Sequence, residues 1–173
     1  MRMRRARGFT LVELMVTLAI AAILLTVAVP GFQNFILNAR RTTLANDLVL
    51  ALAYAKSEAV KRGVRVTVCS RQDDTTCAGS TTWDTGWLVF VDNNGDGVID
   101  SGELVLQVYP SLPSGTTLRA ATDQRVTFQS TGFSPGFNDT IRLCDARGTT
   151  EGRSIVVSAQ GRVRTASGAA SCP

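Results

Sequence analysis

The sequence predicts an α+β fold in which one long N-terminal helix, with a transmembrane first half, packs on an antiparallel β-sheet head. An apolar run without a charge extends from Leu14 to Val29, the composition of a membrane-spanning helix. After Gly63 the apolar residues alternate with polar ones, which is the period of strands. Between these regions an apolar stripe at helical spacing favours packing on a sheet; it consists of Leu44, Leu48, Leu52, Ala55 and Ala59.

The helix is predicted to cover residues 9–63, with its transmembrane part at about 14–30, and to stop at Gly63. At about 1.5 Å per residue it is roughly 80 Å long, whereas a bilayer core needs about 30 Å. Its second half therefore leaves the membrane. Pro30 predicts a kink or local melting of the helix.

Charge is distributed unevenly along the 173 residues. The formal net charge is +4, but four arginines lie within residues 1–8, which should hold that end on the cytoplasmic side of the membrane. Residues 71–108 carry one basic and seven acidic side chains, and residues 109–173 carry seven basic and four acidic ones. A claim about anionic partners must therefore rest on where the charges lie.

The first residues have the form of a leader that is cut in front of the apolar run. An ordinary secretory signal is cut after its apolar stretch, but here the small residue at a boundary is Gly8. Cleavage after Gly8 would remove the leader, residues 1–8, and leave Phe9 as the new N-terminus. Glu13 would then lie in the membrane, where a carboxylate needs a partner.

The motif GFTLVE at residues 8–13 resembles the class III leader of type IV pilins and type II secretion pseudopilins. The resemblance implies a type IV pilin-like fold, cleavage after Gly8 by a prepilin peptidase, and methylation of Phe9. It also implies that Glu13 meets the N-terminal amine of a neighbouring pilin during assembly. Alternatively, Glu13 neutralises the amine of its own Phe9, four residues back on the same helix face. The protein would span the inner membrane once, with a periplasmic head, before it enters a filament at the cell surface.

The head, residues 64–173, should be built of short strands separated by Gly, Pro, Asp and Asn turns. The predicted strands are Val64–Cys69, Trp87–Val91, Leu104–Tyr109, Arg125–Gln129, Thr140–Cys144, Ser154–Ala159 and Arg162–Thr165.

Four cysteines without a C-x-x-C pair, in a chain with no histidine, favour disulfides over a zinc site. Three pairings are possible, and we favour Cys69 with Cys77 and Cys144 with Cys172. Disulfides indicate an oxidising compartment outside the cytoplasm.

The segment DNNGDGVIDSGE, residues 92–103, matches the spacing of a calcium-binding EF-hand loop. Its flanks are strand-like rather than helical, however, so Asp, Asn and Gly are favoured as turn formers in a β-hairpin. A calcium site remains the alternative, and calcium is the one cofactor that the sequence suggests. Its ligands would be Asp92, Asn94, Asp96, the Val98 carbonyl, Asp100 and Glu103.

Two arginines follow a turn near the C-terminus. Gln160 and Gly161 predict a tight turn, after which Arg162 and Arg164 project from the same face of a strand. Guanidinium groups about 7 Å apart along a strand can contact neighbouring phosphates. The Cys144–Cys172 link would draw Arg147 and Arg153 toward the same surface. Alternatively, the arginines protect an exposed strand edge from aggregation.

This G-R-x-R motif, preceded by an apolar strand and bracketed by two cysteines, resembles the FimT branch of the GspH/FimT minor pilins. The resemblance implies binding of double-stranded DNA during natural transformation, through Gly161, Arg162 and Arg164. The alternative is a GspH-like pseudopilin of a type II secretion system, whose head would bind other pseudopilins or secreted proteins. A third interpretation is a general pilus assembly factor without a ligand. Without histidine, a P-loop or a G-x-G-x-x-G motif, the chain shows no catalytic machinery and is interpreted as a non-enzyme.

Overall fold

The computed structural model describes residues 9–168 and 171–172, which divide into two units between Arg40 and Arg41. Helix α1, Leu11–Arg62, extends over both units, and its assignment continues through Pro30. Gly63 follows with φ +71°, and its N–H donates to the Ala59 carbonyl at 3.0 Å. This left-handed residue after the last helical turn is the predicted C-terminal stop.

The first unit, taken by itself, is an apolar helix. Its large hydrophobic side chains, from Phe9 to Ile36, are exposed. Of the described residues, helix α1 alone is long and apolar enough to cross a membrane, and none of its most apolar window is buried in the protein. Full exposure distinguishes it from a core helix of a soluble domain, whose apolar residues would be covered.

The second unit contains two antiparallel sheets packed with the second half of α1. The first sheet has the order β2-β1-β3-β4, with β6 also pairing β1, and the second has the order β5-β7-β8-β9. The strands are β1 Val66–Asp73, β2 Thr76–Cys77, β3 Trp87–Val91, β4 Val105–Val108, β5 Thr116–Ala120, β6 Arg125–Phe128, β7 Asp139–Asp145, β8 Arg153–Val157 and β9 Val163–Ser167, with a short 3₁₀ helix at Thr149–Glu151.

One core joins the helix to both sheets. Leu48, Leu52 and Ala59 of the predicted stripe are fully buried, and Leu44 packs at the margin of the core. The helix contacts apolar side chains of the first sheet, such as Phe128, and of the second, such as Ile155. The α+β class and the long helix packed on antiparallel sheet are therefore confirmed.

The division into two sheets and the strand β5 were not predicted. Strand β5 has the sequence TTLRA, in which only Leu118 is a large apolar residue. The strand is held by its antiparallel pairing with β7, which runs from Thr116 opposite Asp145 to Ala120 opposite Ile141. Strand β5 therefore forms because it pairs with β7, about 25 residues away, and not because its own residues alternate between apolar and polar.

Candidate functional site

The two arginines follow a hairpin turn between β8 and β9. The Gly161 N–H donates to the Ser158 carbonyl at 2.7 Å, and the Ser158 N–H donates to the Arg162 carbonyl at 3.0 Å. Gly161 has φ +68°, so the turn is closed by a left-handed glycine, as in common short hairpin loops. The predicted turn at Gln160 and Gly161 is therefore present.

Gly161 also lies so close to the β6–β7 loop that a side chain would not fit at this position. A Cβ at this position would lie 2.1 Å from the carbonyl oxygen of Gly132, in the β6–β7 loop. The Gly161 carbonyl accepts a hydrogen bond from Lys56 Nζ at 2.9 Å, and the Ala159 carbonyl accepts one from the Ser134 N–H, also at 2.9 Å. The turn is thereby fixed against helix α1 and the β6–β7 loop.

Arg162 and Arg164 are exposed and line one open groove of about 360 Å³. Arg164 lies in β9 opposite Val156, and Arg162 lies just before the strand begins. Neither guanidinium has a hydrogen bond or ion pair with any described residue. We call this the arginine groove; it is lined by Asn138, Val156, Ser158, Arg162, Val163 and Arg164.

Arg147 and Arg153 do not join this groove. Arg147 Nη2 contacts Asp145 Oδ2 at 2.6 Å, and Arg147 Nη1 lies 3.8 Å from Glu151. Arg153 donates to the Thr42 hydroxyl at 3.3 Å and pairs with Ser167, at the far end of β9. The expectation that Arg153 approaches the same surface is wrong, because Arg153 shares the core-facing side of β8 with Ile155, whereas Val156 of the groove lies on the other side.

The Asp145–Arg147 ion pair stabilises the fold, and its charges are not available to a ligand. The hydrogen bond from Arg147 lowers the pKa of Asp145 below its usual value, and the same bond raises the pKa of Arg147. A carboxyl whose pKa is lower in the folded state than in the unfolded state stabilises the fold at pH values above the ordinary aspartate pKa. That stability is lost as the pH falls through the lowered value.

Arg142 is a further candidate for contact with an anionic ligand, and the sequence analysis did not identify it. It lies in β7 between the buried Ile141 and Leu143, so it points away from the core, as Arg164 does. Its Nε is buried and has no hydrogen-bond partner among the described residues. The pattern apolar-Arg-apolar could have placed Arg142 on the outer face, but only the β7-β8-β9 order brings it to the face that carries Arg164.

The acidic loop, residues 92–103, uses its side chains internally. Asp92 is fully buried and accepts hydrogen bonds from the Thr67 hydroxyl at 2.6 Å and from the N–H groups of Gly95 and Gly97 at 2.7 and 3.1 Å. The Asn94 amide donates to both Asp96 and Asp100 at 2.9 Å. Of the described residues, no group of three or more His, Cys, Asp or Glu side chains is arranged to hold a metal ion.

Glu103 completes this network. Its two oxygens accept from the N–H groups of Asn93 at 2.7 Å and Asp100 at 3.1 Å. Val98 is exposed, and its N–H donates to Asp96 at 2.8 Å. The favoured turn role is therefore visible in the hydrogen bonds, and calcium binding stays the untested alternative.

Two disulfides have the pairing favoured from the sequence. Cys69 joins Cys77 on the first sheet, and Cys144 joins Cys172 on the second, each with Cα atoms 5.8 Å apart. The second link ties the chain end to the outer face of β7. There, the Ser154 hydroxyl also donates to the Gly168 carbonyl at 2.9 Å.

At the other end of the chain, Glu13 belongs to a capping box. Its carboxylate accepts from the N–H and hydroxyl of Thr10 at 3.2 and 3.1 Å, and its own N–H donates to the Thr10 hydroxyl at 3.2 Å. The T-x-x-E spacing is the signal for this motif, which the sequence reasoning did not use. Phe9 is 84% exposed. Gly8, the predicted cleavage position, lies outside the described residues.

Comparison with known proteins agrees with this architecture. Residues 44–161 match the family described as Type II transport protein GspH, and residues 3–29 match the prokaryotic N-terminal methylation motif.

Curated relatives match mainly through shorter segments. The chain is 43% identical over 47 residues to "Prepilin peptidase-dependent protein D" of Escherichia coli strain K12, covering 27% of this chain and 32% of that protein. It is 33% identical over 73 residues to a "Fimbrial protein" of Pseudomonas aeruginosa, covering 42% of this chain and 47% of that protein. The matches thus span a third to a half of the length of these relatives.

Solved structures extend the likeness of fold to most of the chain. The type IV minor pilin FimU of Pseudomonas aeruginosa, in two crystal forms, superposes with TM-scores of 0.65 and 0.60 at 23% identity. The superpositions cover 80% and 76% of this chain and 99% of the FimU chain. With the GspH match extending over more than half of its residues, this chain belongs to the GspH family of type IV pilin-like proteins.

Proposed function

We propose that this protein is a minor pilin of a type IV pilus that binds double-stranded DNA during uptake for natural transformation. It is held in the inner membrane by the first half of α1, with its head in the periplasm, and it then enters or primes the filament. The role is structural rather than enzymatic. Prepilin peptidase and neighbouring pilins are its partners at the N-terminus.

Assembly in this proposal uses Phe9 and Glu13. In the uncut chain the Phe9 nitrogen is a peptide amide, and Glu13 accepts its hydrogen bonds from Thr10. Cleavage after Gly8 would create an amine at Phe9 that competes for this carboxylate. An ion pair between Glu13 of one subunit and that amine on the next would relieve the cost of a carboxylate in the membrane.

The observation that carries the DNA-binding part is the arginine groove. Arg162 and Arg164 are exposed and free of ion pairs with described residues, whereas Arg147 is held by Asp145. Residues 154–168 contain these two arginines and no acidic residue. A guanidinium that is not neutralised in its own protein can form a bidentate contact with a phosphate.

So few phosphate contacts predict weak, salt-sensitive binding by one copy. Each contact contributes about −0.9 to the slope of log affinity against log salt concentration. Phosphate contacts carry little sequence information, so one site should discriminate weakly between sequences. Several copies along a filament would raise the overall affinity through their effective concentration.

The test is a fluorescence-anisotropy titration of the processed full chain, in detergent, with labelled duplex DNA at several salt concentrations. Changing both Arg162 and Arg164 to Gln should reduce the salt slope by about two and abolish binding at moderate salt. Arg65→Gln is the control, because Arg65 is exposed and donates to backbone carbonyls of the acidic loop at 3.0 and 3.4 Å. Equal affinity of the double variant and the unchanged protein would remove the proposed site.

The second candidate is a GspH-like pseudopilin of a type II secretion system, which the description of the matching family favours. In that case the head would bind other pseudopilins or secreted proteins. The same titration separates the two functions: a pseudopilin without a DNA role should give no binding that depends on Arg162 and Arg164.

A further inference from the structure

One aromatic side chain of the head is exposed on the β6–β7 loop, which contacts the turn in front of Arg162. Phe133, in the β6–β7 loop, is 51% exposed. The other aromatic residues described in the head are buried or half-buried, including Trp83, Trp87 and Phe128. Single large apolar side chains are often exposed on protein surfaces, so exposure alone does not assign a role to Phe133, and its position must be considered.

Phe133 is held beside the hairpin turn by both of its neighbours. The carbonyl of Gly132, which is bonded to the Phe133 nitrogen, makes the close approach to Gly161. On the other side, the Ser134 N–H donates to the Ala159 carbonyl at 2.9 Å. Gly132 and Ser134 are buried, so the loop presents Phe133 within one residue of each contact with the turn.

The loop does not need the Phe133 ring for its own structure. Its backbone is closed by hydrogen bonds from the Gln129 N–H to the Phe133 carbonyl and from the Gly132 N–H to the Gln129 carbonyl, both at 2.8 Å. The ring belongs to neither core cluster of the described residues. The same loop contributes Asn138 to the arginine groove, so loop and hairpin together border one surface.

Charge around the ring favours a nucleic acid over an acidic or basic peptide. Residues 126–138 have no charged side chain, and residues 154–168 have Arg162 and Arg164 as their only ones. Helix α1 adds the positive charge of Lys56, whose Nζ donates to the Gly161 carbonyl. The nearest carboxylate in sequence, Asp139, is buried and accepts four backbone N–H groups. Arginines and an exposed aromatic ring on adjoining segments are the two components of surfaces that bind single strands, where the ring stacks on a base.

We propose that Phe133 stacks on an unpaired nucleobase of DNA whose phosphates are held by Arg162 and Arg164. The site then prefers a strand end or single-stranded segment to a blunt duplex of the same charge. This inference rests on the proposed DNA-binding function and specifies its substrate: DNA with accessible bases.

The test uses two labelled duplexes that differ only in a ten-nucleotide tail, one of thymidines and one of abasic sites, so that the phosphates are equal in number. The processed full chain in detergent should bind the thymidine tail at least about fivefold more tightly, the effect of one stacked base. Phe133→Ala should make the two affinities equal, and Phe133→Tyr should keep the preference. Arg162→Gln with Arg164→Gln should weaken both complexes.

The outcomes distinguish failure of base stacking by Phe133 from failure of the proposed DNA binding. Equal affinity of the unchanged protein for the two tails overturns stacking but leaves DNA binding intact. A Phe133→Ala variant that keeps its melting temperature and its preference for thymidines also overturns it. If the unchanged protein binds neither tail, the proposed function and this inference both fail. Reduced copurification of neighbouring pilins by Phe133→Ala, with unchanged DNA binding, would assign the ring to a subunit contact instead.

Discussion

The acidic loop and the β8–β9 hairpin are both charged connections between neighbouring strands, yet they use their charges in opposite ways. Asp92 is fully buried and receives three hydrogen bonds from the first sheet and its own loop. Arg162 and Arg164 are exposed, with no partner among the described residues. In the first loop the charged groups accept hydrogen bonds from the loop itself, whereas in the second Gly161 closes the turn and the charges remain available.

The comparison shows that a charged motif is informative about ligands only when its hydrogen-bonding capacity is not already used. The acidic loop resembles a binding site more closely in sequence, because it matches a longer pattern. Its oxygens nevertheless accept from the Asn94 amide and from backbone N–H groups. The hairpin has a shorter motif, but its donors face solvent.

The largest expected effect is at Asp92. Changing Asp92 to Ala leaves the buried Gly97 N–H and the half-buried Gly95 N–H without an acceptor and leaves the Thr67 hydroxyl with Thr127 as its remaining partner. This should lower the free energy of unfolding by about 3–5 kcal/mol. Denaturant unfolding followed by the fluorescence of Trp83 and Trp87, both buried, measures it. Asp96→Ala is the control, since Asp96 is exposed, and it should cost about 1 kcal/mol or less. Similar losses in both variants would contradict a special role for Asp92.

A comparable or smaller loss of stability, joined to a loss of binding, is expected at Gly161. Gly161→Ala adds left-handed strain of about 1–2 kcal/mol and forces the Gly132 carbonyl away, which costs about 1–3 kcal/mol more. Gly102 in the acidic loop has φ +93° with open space around its Cβ position, so Gly102→Ala should show the strain alone. Unfolding and DNA titration of both variants check this. Unchanged DNA affinity in Gly161→Ala would show that the turn geometry does not position the arginines.

The smallest expected effect is that of calcium. Because the acidic side chains already accept hydrogen bonds within the loop, millimolar calcium or its removal by a chelator should leave the melting midpoint unchanged. A site with a dissociation constant one-hundredth of the added calcium would stabilise the fold by about 2.7 kcal/mol, which a melting scan detects readily. A clear rise of the midpoint would establish the loop as a calcium site, with Asp92 reoriented to ligate the ion.

Several elements could be predicted because their causes are local. The stripe from Leu44 to Ala59 fixes which helix face is buried, since its spacing depends only on the helical period. Gly63 ends the helix, and Gly161 closes the turn, because a left-handed conformation suits glycine. Strand β5 could not be found in this way, because its one large apolar residue, Leu118, gives no alternation and its pairing with β7 is long-range.

The sequence by itself therefore determined the long helix, its buried face, the turns and the family, all of which follow from periodicity and short motifs. Only the tertiary structure decided which charges are free. Arg153 is engaged by Thr42 across 111 residues of sequence, and Arg142 reaches the face that carries Arg164 only through the order of three strands. The reason is physical: whether a charged side chain can bind a ligand depends on the neighbours that chain folding brings to it, and local propensity does not specify those neighbours.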